Sequence, residues 1–462
     1  MVLESLNRFV WGAPALVLIL GVGVFLSVRT GFAQIALFPR ACRLLFEKLR
    51  QGNESGDVSP FQALCTALAA TVGTGNLVGV AGAIALGGPG AIFWMWICAI
   101  VGMVTKFAEA TLAVRYRVRE NGANVGGPMY MIRHGMGSRW SLLACLYSFF
   151  GVFAAFGVGN ATQINAVITG INGFLSAFGG SESRMGNLLM GMILAALVGV
   201  TLLGGAGRIG AAAEMLVPFA SCAYILLGAG VLVMRASRIP QAIASIVMGA
   251  FSPEAVTGGM VGSAFQALRV GVSRGVFTNE AGMGTASIAH ASARVRHPAE
   301  QGLMGIMEVF LDTIVICTMT ALVILCSGVP ISYGTDVGGV LTTQAFSSVY
   351  GDWVTAVLAM ALCCFAFATV LGWGLYGARC AQFLFGPKAW KPFALLQIIT
   401  VIASAVLETG IIWSFAETVN GLMAVPNLIA LVALSPELRR LTFEYKILCG
   451  DSAAGGTYEN LD

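Results

Sequence analysis

The chain has 462 residues, of which 57% are hydrophobic and only 10% are charged, with a formal net charge of +4. Soluble domains carry roughly 25% charged residues, so this composition excludes an ordinary soluble protein. Apolar runs of about 20 residues recur, which is the length that crosses a hydrocarbon core. Because these runs are continuous rather than short and alternating, they predict helices and not a barrel. The predicted fold class is an all-α polytopic membrane protein, with the lipid bilayer as its surroundings.

Several other classes of protein are excluded by the same composition. The chain has no basic tail or basic face with interleaved aromatic residues, so nucleic acid is not an expected partner. Its eleven cysteines form no C-x-x-C pair, and its three histidines form no H-E-x-x-H motif. These patterns disfavour a disulfide framework, a zinc site and an intramembrane protease. The sequence predicts no enzyme activity and no cofactor, and it implies no obligate protein partner.

The apolar runs predict eleven membrane-spanning helices. In chain order they lie at about 11–32, 61–87, 90–118, 141–177, 187–204, 210–234, 256–290, 301–327, 352–386, 390–409 and 412–434. The first run is longer than a signal-peptide core and lacks a following cleavage site, so we expect it to be retained. Lys and Arg concentrate in alternate loops, including 29–59 and 115–139. By the positive-inside rule, this alternation predicts an outer N-terminus and a cytoplasmic C-terminus in the cell (cytoplasmic or inner) membrane.

Ten of these helices divide into two sets of five. The predicted domains are an N-terminal helix with a basic cytoplasmic loop, two five-helix repeats and a cytoplasmic tail, at 1–60, 61–234, 256–434 and 435–462. Each set opens with a helix interrupted by glycine and polar residues, TVGTGN at 71–76 and FTNEAGMG at 277–284. Because five is odd, the two sets have opposite orientations in the membrane. Broken helices at matching positions of inverted repeats indicate a transport site near the bilayer midplane.

The TVGTGN motif is compatible with four interpretations. Its likeness to the T-V-G-Y-G filter of potassium channels is disfavoured, because the motif lies inside an apolar run and not in a re-entrant loop. Its glycine spacing does not fit a dinucleotide-binding fingerprint. Small-residue helix packing stays an alternative. An unwound helix is favoured, because amides freed near Gly75 suit a carboxylate and carbonyls freed around 69–72 suit Na⁺.

Four motifs in order resemble the alanine-or-glycine:cation symporter family. They are TALAATVGTGN at 66–76, GGPGAIFWMW at 87–96, GVFTNEAG at 275–282 and VLGW at 370–373. The likeness runs from about residue 5 to 440. It implies a LeuT-type 5+5 inverted repeat behind one extra N-terminal helix, and alternating-access import of alanine, or of glycine, with Na⁺. Proton coupling is the nearest alternative, and an ion channel is a more distant one.

The resemblance also implies the residues that bind the substrate. They are Thr74, Gly75, Asn76, Gln163, Asn165, Phe277, Thr278, Asn279 and Trp373. The first break would hold the carboxylate, and Trp373 beside Phe277 would leave room for a methyl group and little more. For Gln163 and Asn165, hydrogen bonding between helices is an equally favoured role.

A sodium site is implied in the same way. Its oxygen ligands would come from Ala69, Val72, Phe365 and Thr369. Ala368 stands where relatives often carry a second hydroxyl, which leaves the choice between Na⁺ and H⁺ open. Thr71 and Asp312 are further candidate ligands of an ion, although a structural or proton-coupling role for Asp312 is equally open.

Other charges inside the predicted spans receive structural interpretations. Lys106 and Glu109 stand three apart on one helix and are expected to pair with each other. Glu280 is expected to bond the backbone freed at the second break.

Overall fold

The structure is a computed structural model that describes residues 11–50, 58–120, 122–177, 181–259, 261, 263–335, 338–407 and 410–453. The predicted N-terminal segment, basic loop and tail extend into residues 1–10, 51–57 and 454–462, which lie outside the described residues. Apart from one small hairpin, the described regular structure is helical.

Helices longer than five residues are numbered here in chain order. The first ten are α1 (Ala13–Thr30), α2 (Phe38–Arg50), α3 (Pro60–Thr71), α4 (Val80–Gly87), α5 (Gly90–Arg115), α6 (Ser141–Phe156), α7 (Thr162–Ala177), α8 (Arg184–Leu203), α9 (Gly205–Met234) and α10 (Ile239–Phe251). The next nine are α11 (Ala264–Asn279), α12 (Thr285–His290), α13 (Pro298–Val309), α14 (Thr318–Ser327), α15 (Val340–Tyr350), α16 (Val354–Phe385), α17 (Trp390–Ser404), α18 (Gly410–Ala433) and α19 (Ser435–Ala453).

Shorter elements connect these helices. Single α-turns lie at Ala33–Ala36, Pro128–Tyr130 and Pro253–Thr257, and 3₁₀ turns lie at Ser138–Trp140, Ala236–Arg238 and Pro387–Ala389. Wider π-helical turns lie at Gly75–Gly79, Met131–Met136, Gly157–Ala161 and Phe310–Cys317. The strands β1 (Val118–Glu120) and β2 (Ala123–Val125) pair antiparallel, with Val118 opposite Val125.

Within the described residues, six helices are long and apolar enough to cross a membrane, and eight if each of two bent pairs counts as one span. The multi-pass prediction agrees with this finding, whereas the count of eleven and the division into two sets of five stay predictions. Helices such as α17, with 15 residues, are shorter than a full span.

Four helices occupy regions that the sequence analysis treated as loops or tail, namely α2, α10, α15 and α19. The search for long apolar runs misses such helices because their apolar residues recur every three or four positions. In α2, for example, Ala41 and Leu44 are buried while Arg43 between them is exposed. Residues 435–453 of the predicted tail are also helical, and they pack against α1, since Lys446 Nζ in α19 donates to Thr30 O at 3.1 Å.

Both predicted interruptions are present. After α3, Val72 is extended, and the following helix is bent by 53° from α3. The second break separates α11 from α12 and contains three left-handed residues, Glu280, Gly282 and Gly284, at φ 52°, 97° and 77°. Around these breaks, α5 packs along α11 and α13, while α16 packs along α6, α7 and α9.

Candidate substrate and ion site

A buried cavity of about 20 Å³ lies between the two breaks. Seven residues predicted to bind the substrate or an ion line it: Thr71, Thr74, Gly75, Gln163, Phe277, Thr369 and Trp373. The other lining residues are Ala70, Gly73, Val158 and Glu280. Residues that are far apart in the sequence therefore lie around one cavity.

Two buried polar atoms of the lining residues lack a hydrogen-bond partner in the described part of the chain. Gln163 Oε1 and Trp373 Nε1 are buried, and neither makes a hydrogen bond with any described residue. The amide nitrogen of Gln163, by contrast, donates to Val158 O at 3.3 Å. Buried polar groups are normally paired, because an unmet donor or acceptor costs about 1–3 kcal/mol. One acceptor and one donor in the lining are thus available to a polar ligand.

The position of the Trp373 indole depends on Gly159. A Cβ atom added to Gly159 would overlap Trp373 Cβ and Cγ, so a glycine at this position lets the indole reach the cavity wall. Gly159 lies in the π-helical turn between α6 and α7, where the backbone carries the extra residue. The ring of Tyr376 packs edge-on at 5.7 Å and supports the indole from the other end.

Asn76 holds the shape of the first break. Its Oδ1 accepts from Gly73 N at 2.9 Å, and its Nδ2 donates to Asp312 Oδ1 at 2.8 Å. Asp312 is fully buried in the π-helical turn between α13 and α14. The Asn76 side chain is thus used within the fold, and it does not line the cavity as the direct substrate contact implied for it would require.

Asn279 holds the shape of the second break in the same way. Its Oδ1 accepts from Ala281 N at 3.0 Å, and its Nδ2 donates to Thr313 Oγ1 at 3.3 Å. Thr313 in turn donates to Asp312 Oδ2 at 2.9 Å. A continuous chain of buried hydrogen bonds therefore connects the two breaks through Asp312.

Two further predicted substrate residues differ from expectation. Thr278 Oγ1 donates to the carbonyl of Arg274 at 2.7 Å and is not part of the cavity lining, although it lies 3.5 Å from where a Cβ on Gly75 would be. Asn165 lines a separate cavity of about 760 Å³ together with Asn172 and Asn187. Because residues two apart on a helix differ in direction by about 200°, Gln163 and Asn165 cannot face the same cavity.

The candidate sodium ligands lie where α16 approaches the first break. Thr369 Oγ1 donates to Phe365 O at 3.0 Å, and a Cβ on Gly73 would be only 2.9 Å from Thr369 Oγ1. The extended conformation of Val72 turns its carbonyl away from the α3 axis. Ala69 and Val72 are fully buried. Thr369 thus lies beside the first break, and the role of the four residues as ligands of one ion stays a prediction.

Thr71 Oγ1, the remaining candidate, donates to Ala67 O at 3.3 Å. An oxygen engaged in this way can still accept a cation through its lone pairs.

The model of the sodium:alanine symporter family matches residues 1–451. The chain belongs to this family. Two relatives are also similar to this chain over nearly its whole length. They are the sodium/alanine symporter AgcS of Methanococcus maripaludis and the probable sodium/glutamine symporter GlnT of Bacillus subtilis. AgcS is 43% identical over 94% of this chain and 94% of its own length, and GlnT is 38% identical over 93% and 87%.

Among solved structures, the crystal structure of MhsT in complex with L-phenylalanine matches 85% of this chain and 99% of its own, with a TM-score of 0.54 and 14% identity. This likeness shows the fold, and it supports the LeuT-type arrangement expected from the resemblance. Family and fold together support Na⁺-coupled symport of an amino acid by a multi-pass membrane protein.

The predicted pairing of Lys106 with Glu109 is wrong, because Lys106 belongs to a buried ion network with other partners. Lys106 Nζ pairs with Glu308 Oε1 at 2.9 Å, and not with Glu109. His290 Nε2 lies 2.9 Å from Glu308 Oε2, and Gln301 bonds the other ring nitrogen at 2.7 Å. A charged side chain within the membrane needs a partner. The partner of Lys106 lies 202 residues away on another helix, so the spacing of residues along one helix cannot reveal it.

The assignment of Glu280 is also corrected. Its Oε2 accepts from Thr285 Oγ1 at 2.6 Å, while the amides freed at the second break are bonded by Glu109. The left-handed conformation of Glu280 directs its side chain forwards along the chain.

A wider cavity of about 700 Å³ lies next to the small one. Arg269, Arg274, Trp11 and Glu417 contribute to its walls, and Phe277 lines both cavities. The Trp11 ring packs edge-on against Phe277 at 6.4 Å. Phe277 is therefore the side chain that separates the wide cavity from the candidate site.

Replacing Gly159 with alanine is expected to impair transport at least about tenfold, because the new methyl must push Trp373 from the cavity wall, and such overpacking costs roughly 1–3 kcal/mol. The measurement is the initial rate of amino-acid uptake into proteoliposomes, normalised to folded protein. Gly79→Ala is the matched control, since a Cβ there meets nothing within 4 Å. Equal rates in the two variants would contradict the role given to Gly159.

Proposed function

We propose that this protein imports alanine, or another small neutral amino acid, together with Na⁺ by alternating access. The observation that carries the proposal is the small buried cavity between two broken helices, with an unpaired acceptor and donor on Gln163 and Trp373. The names of two relatives, a sodium/alanine symporter and a probable sodium/glutamine symporter, support the class of substrate and the ion.

The carboxylate of the amino acid binds at the first break. Thr74 and Gly75 begin the helix that follows the break, and the first amides of a helix lack partners within it and favour an anion. Neither Asn76 nor Asn279 is needed as a direct ligand, because both already hold the breaks in shape. Asn76, Thr278 and Asn279 thus contribute by holding the shape of the two breaks, through hydrogen bonds within the protein.

Substrate entry requires movement of the cavity walls. A water molecule needs roughly 10–15 Å³ on the same scale, so about 20 Å³ is too small for an amino acid. Phe277 separates the site from the wide cavity and is the side chain whose displacement admits the substrate. The wide cavity opens on the outer side if the N-terminus lies outside, as the charge distribution predicts.

The coupling ion binds between the first break and α16. Carbonyls of Ala69, Val72 and Phe365 and the hydroxyl of Thr369 supply the oxygens that a hard cation prefers. Binding there joins α16 to the broken helix, so occupancy of the ion site stabilises the first break that holds the carboxylate. This shared break is the physical basis for coupling.

Proton coupling is a second candidate, because Asp312 is a buried carboxylate within the hydrogen-bonded chain between the breaks. The decisive test loads purified protein into liposomes and measures labelled alanine uptake under an imposed sodium gradient, and separately under a proton gradient without sodium. Accumulation with sodium alone supports the proposal. Accumulation with protons alone favours the second candidate, and none with any small neutral amino acid would contradict both.

Thr369→Ala is expected to raise the sodium concentration for half-maximal uptake about tenfold, which corresponds to about 1.4 kcal/mol for one lost ligand. Thr369→Ser is the matched control, because it keeps the hydroxyl and should stay close to the wild-type value. An unchanged sodium dependence in Thr369→Ala would remove this residue from the ion site.

Trp373→Ala is expected to relax selectivity for the side chain, since removing the indole enlarges the pocket where the substrate methyl would lie. Competition of valine, leucine and glutamine against labelled alanine measures this change. We expect inhibition by the larger amino acids to increase at least about tenfold relative to alanine, within the 1–3 kcal/mol that pocket size usually contributes. Selectivity that stays the same would place the substrate side chain elsewhere.

A further inference from the structure

Glu109 on α5 makes three hydrogen bonds at the second break through a single oxygen. Its Oε1 accepts from Gly282 N at 2.9 Å, from Gly284 N at 3.1 Å and from Asn427 Nδ2 at 2.7 Å. The side chain is fully buried. The same amide group of Asn427, on α18, also donates to Gly282 O at 2.8 Å. Two helices and the second break therefore meet at this carboxylate.

The backbone of the second break forms a site suited to an anion. Left-handed residues at Glu280, Gly282 and Gly284 accompany amides of Gly282 and Gly284 that point to the same acceptor, comparable to the backbone nests that bind anions in other proteins. An ionised acceptor makes hydrogen bonds roughly twice as strong as a neutral one. A carboxylate is the fitting occupant, and here the protein supplies its own.

Glu109 is free for this purpose because the nearby cation has another partner. Lys106, one turn earlier on α5, pairs with Glu308 on α13. The second oxygen of Glu109, Oε2, has no hydrogen-bond partner among the described residues. The contacts of Glu109 are thus concentrated on the break.

We propose that Glu109 is an internal anion that fills the amide site of the second break and acts as a positioning residue for the cavity wall. It fixes the segment that carries Phe277 and Glu280, both of which line the cavity. The two breaks are then chemically different. The substrate carboxylate can bind only at the first break, because the corresponding place at the second break is already occupied.

Hydrogen–deuterium exchange tests this assignment without reference to transport. In the full-length protein in lipid nanodiscs, Glu109→Ala should accelerate exchange of peptides that span 281–285 at least about tenfold, since the amides of Gly282 and Gly284 lose their charged acceptor. Peptides over 72–79, at the first break, serve as the internal control and should stay within about twofold. Glu109→Gln, which keeps a neutral acceptor, should give an intermediate rate and serves if the alanine variant does not fold.

Rescue by a small anion separates a specific role from general loosening. Formate added to Glu109→Ala can occupy the vacated site and should slow exchange at 281–285. In Asn427→Ala, the matched control, Glu109 still fills the site, so formate should have no effect. Exchange at 281–285 that is unchanged in both Glu109 variants, or that formate does not slow in Glu109→Ala, would overturn the assignment.

A transport measurement extends the test and rests on the proposed function. Glu109→Gln should raise the alanine KM at least about fivefold, because the cavity wall is less well positioned, while the sodium dependence stays within about twofold. Equal changes in the alanine KM and in the sodium dependence would contradict a role confined to the second break. If the wild-type protein shows no sodium-dependent alanine uptake, the proposed function fails, and the exchange experiment still decides the role of Glu109.

Discussion

Backbone amides and carbonyls must find partners at bilayer depth, and the arrangement of this protein follows from that requirement. A continuous helix meets it internally, but a broken helix frees several groups in surroundings without bulk water. Side chains pair several of the freed groups here, namely Asn76 and Asn279 within their own breaks and Glu109 from α5. The candidate site and the side chains that hold the breaks therefore both follow from the need to pair backbone groups within the membrane.

The two breaks meet this requirement in different ways. At the first, Asn76 bonds Gly73 N and leaves Thr74 and Gly75 at the cavity. At the second, Glu109 takes the amides of Gly282 and Gly284, and Asn427 takes the carbonyl of Gly282. One break is thus open to a ligand and the other is closed by the protein itself. In the proposed binding mode, this difference gives the substrate one orientation, with its carboxylate at the first break.

The sequence predicted what depends on local pattern and on motifs, and it missed what depends on contacts between distant helices. Apolar runs predicted the principal helices, and glycine with polar residues predicted both interruptions. Continuous apolar runs do not reveal the amphipathic helix α2, because its apolar residues are separated by polar ones. Gln163 and Asn165 line different cavities, because residues two apart on a helix point in different directions. The partners of Lys106 and Glu109 lie 202 and 173 residues or more away in the chain, so no spacing rule reaches them.

The chain of hydrogen bonds through Asp312 explains how a ligand at one break can affect the other. Asn76 and Asn279 each bond their own break and also bond Asp312 or its neighbour Thr313. A change in the first break on binding of an ion or carboxylate moves Asn76, and the π-helical turn that carries Asp312 must then follow or lose a buried hydrogen bond. Since a buried unpaired polar group costs about 1–3 kcal/mol, a shift of Asn76 is expected to be transmitted to Asn279 through this chain. The amides of Gly282 and Gly284 lie outside the chain, so loosening them leaves its bonds in place. Phe277, which closes the cavity at the end of α11, lies only two residues before Asn279 and so is linked by this chain to the occupancy of the first break.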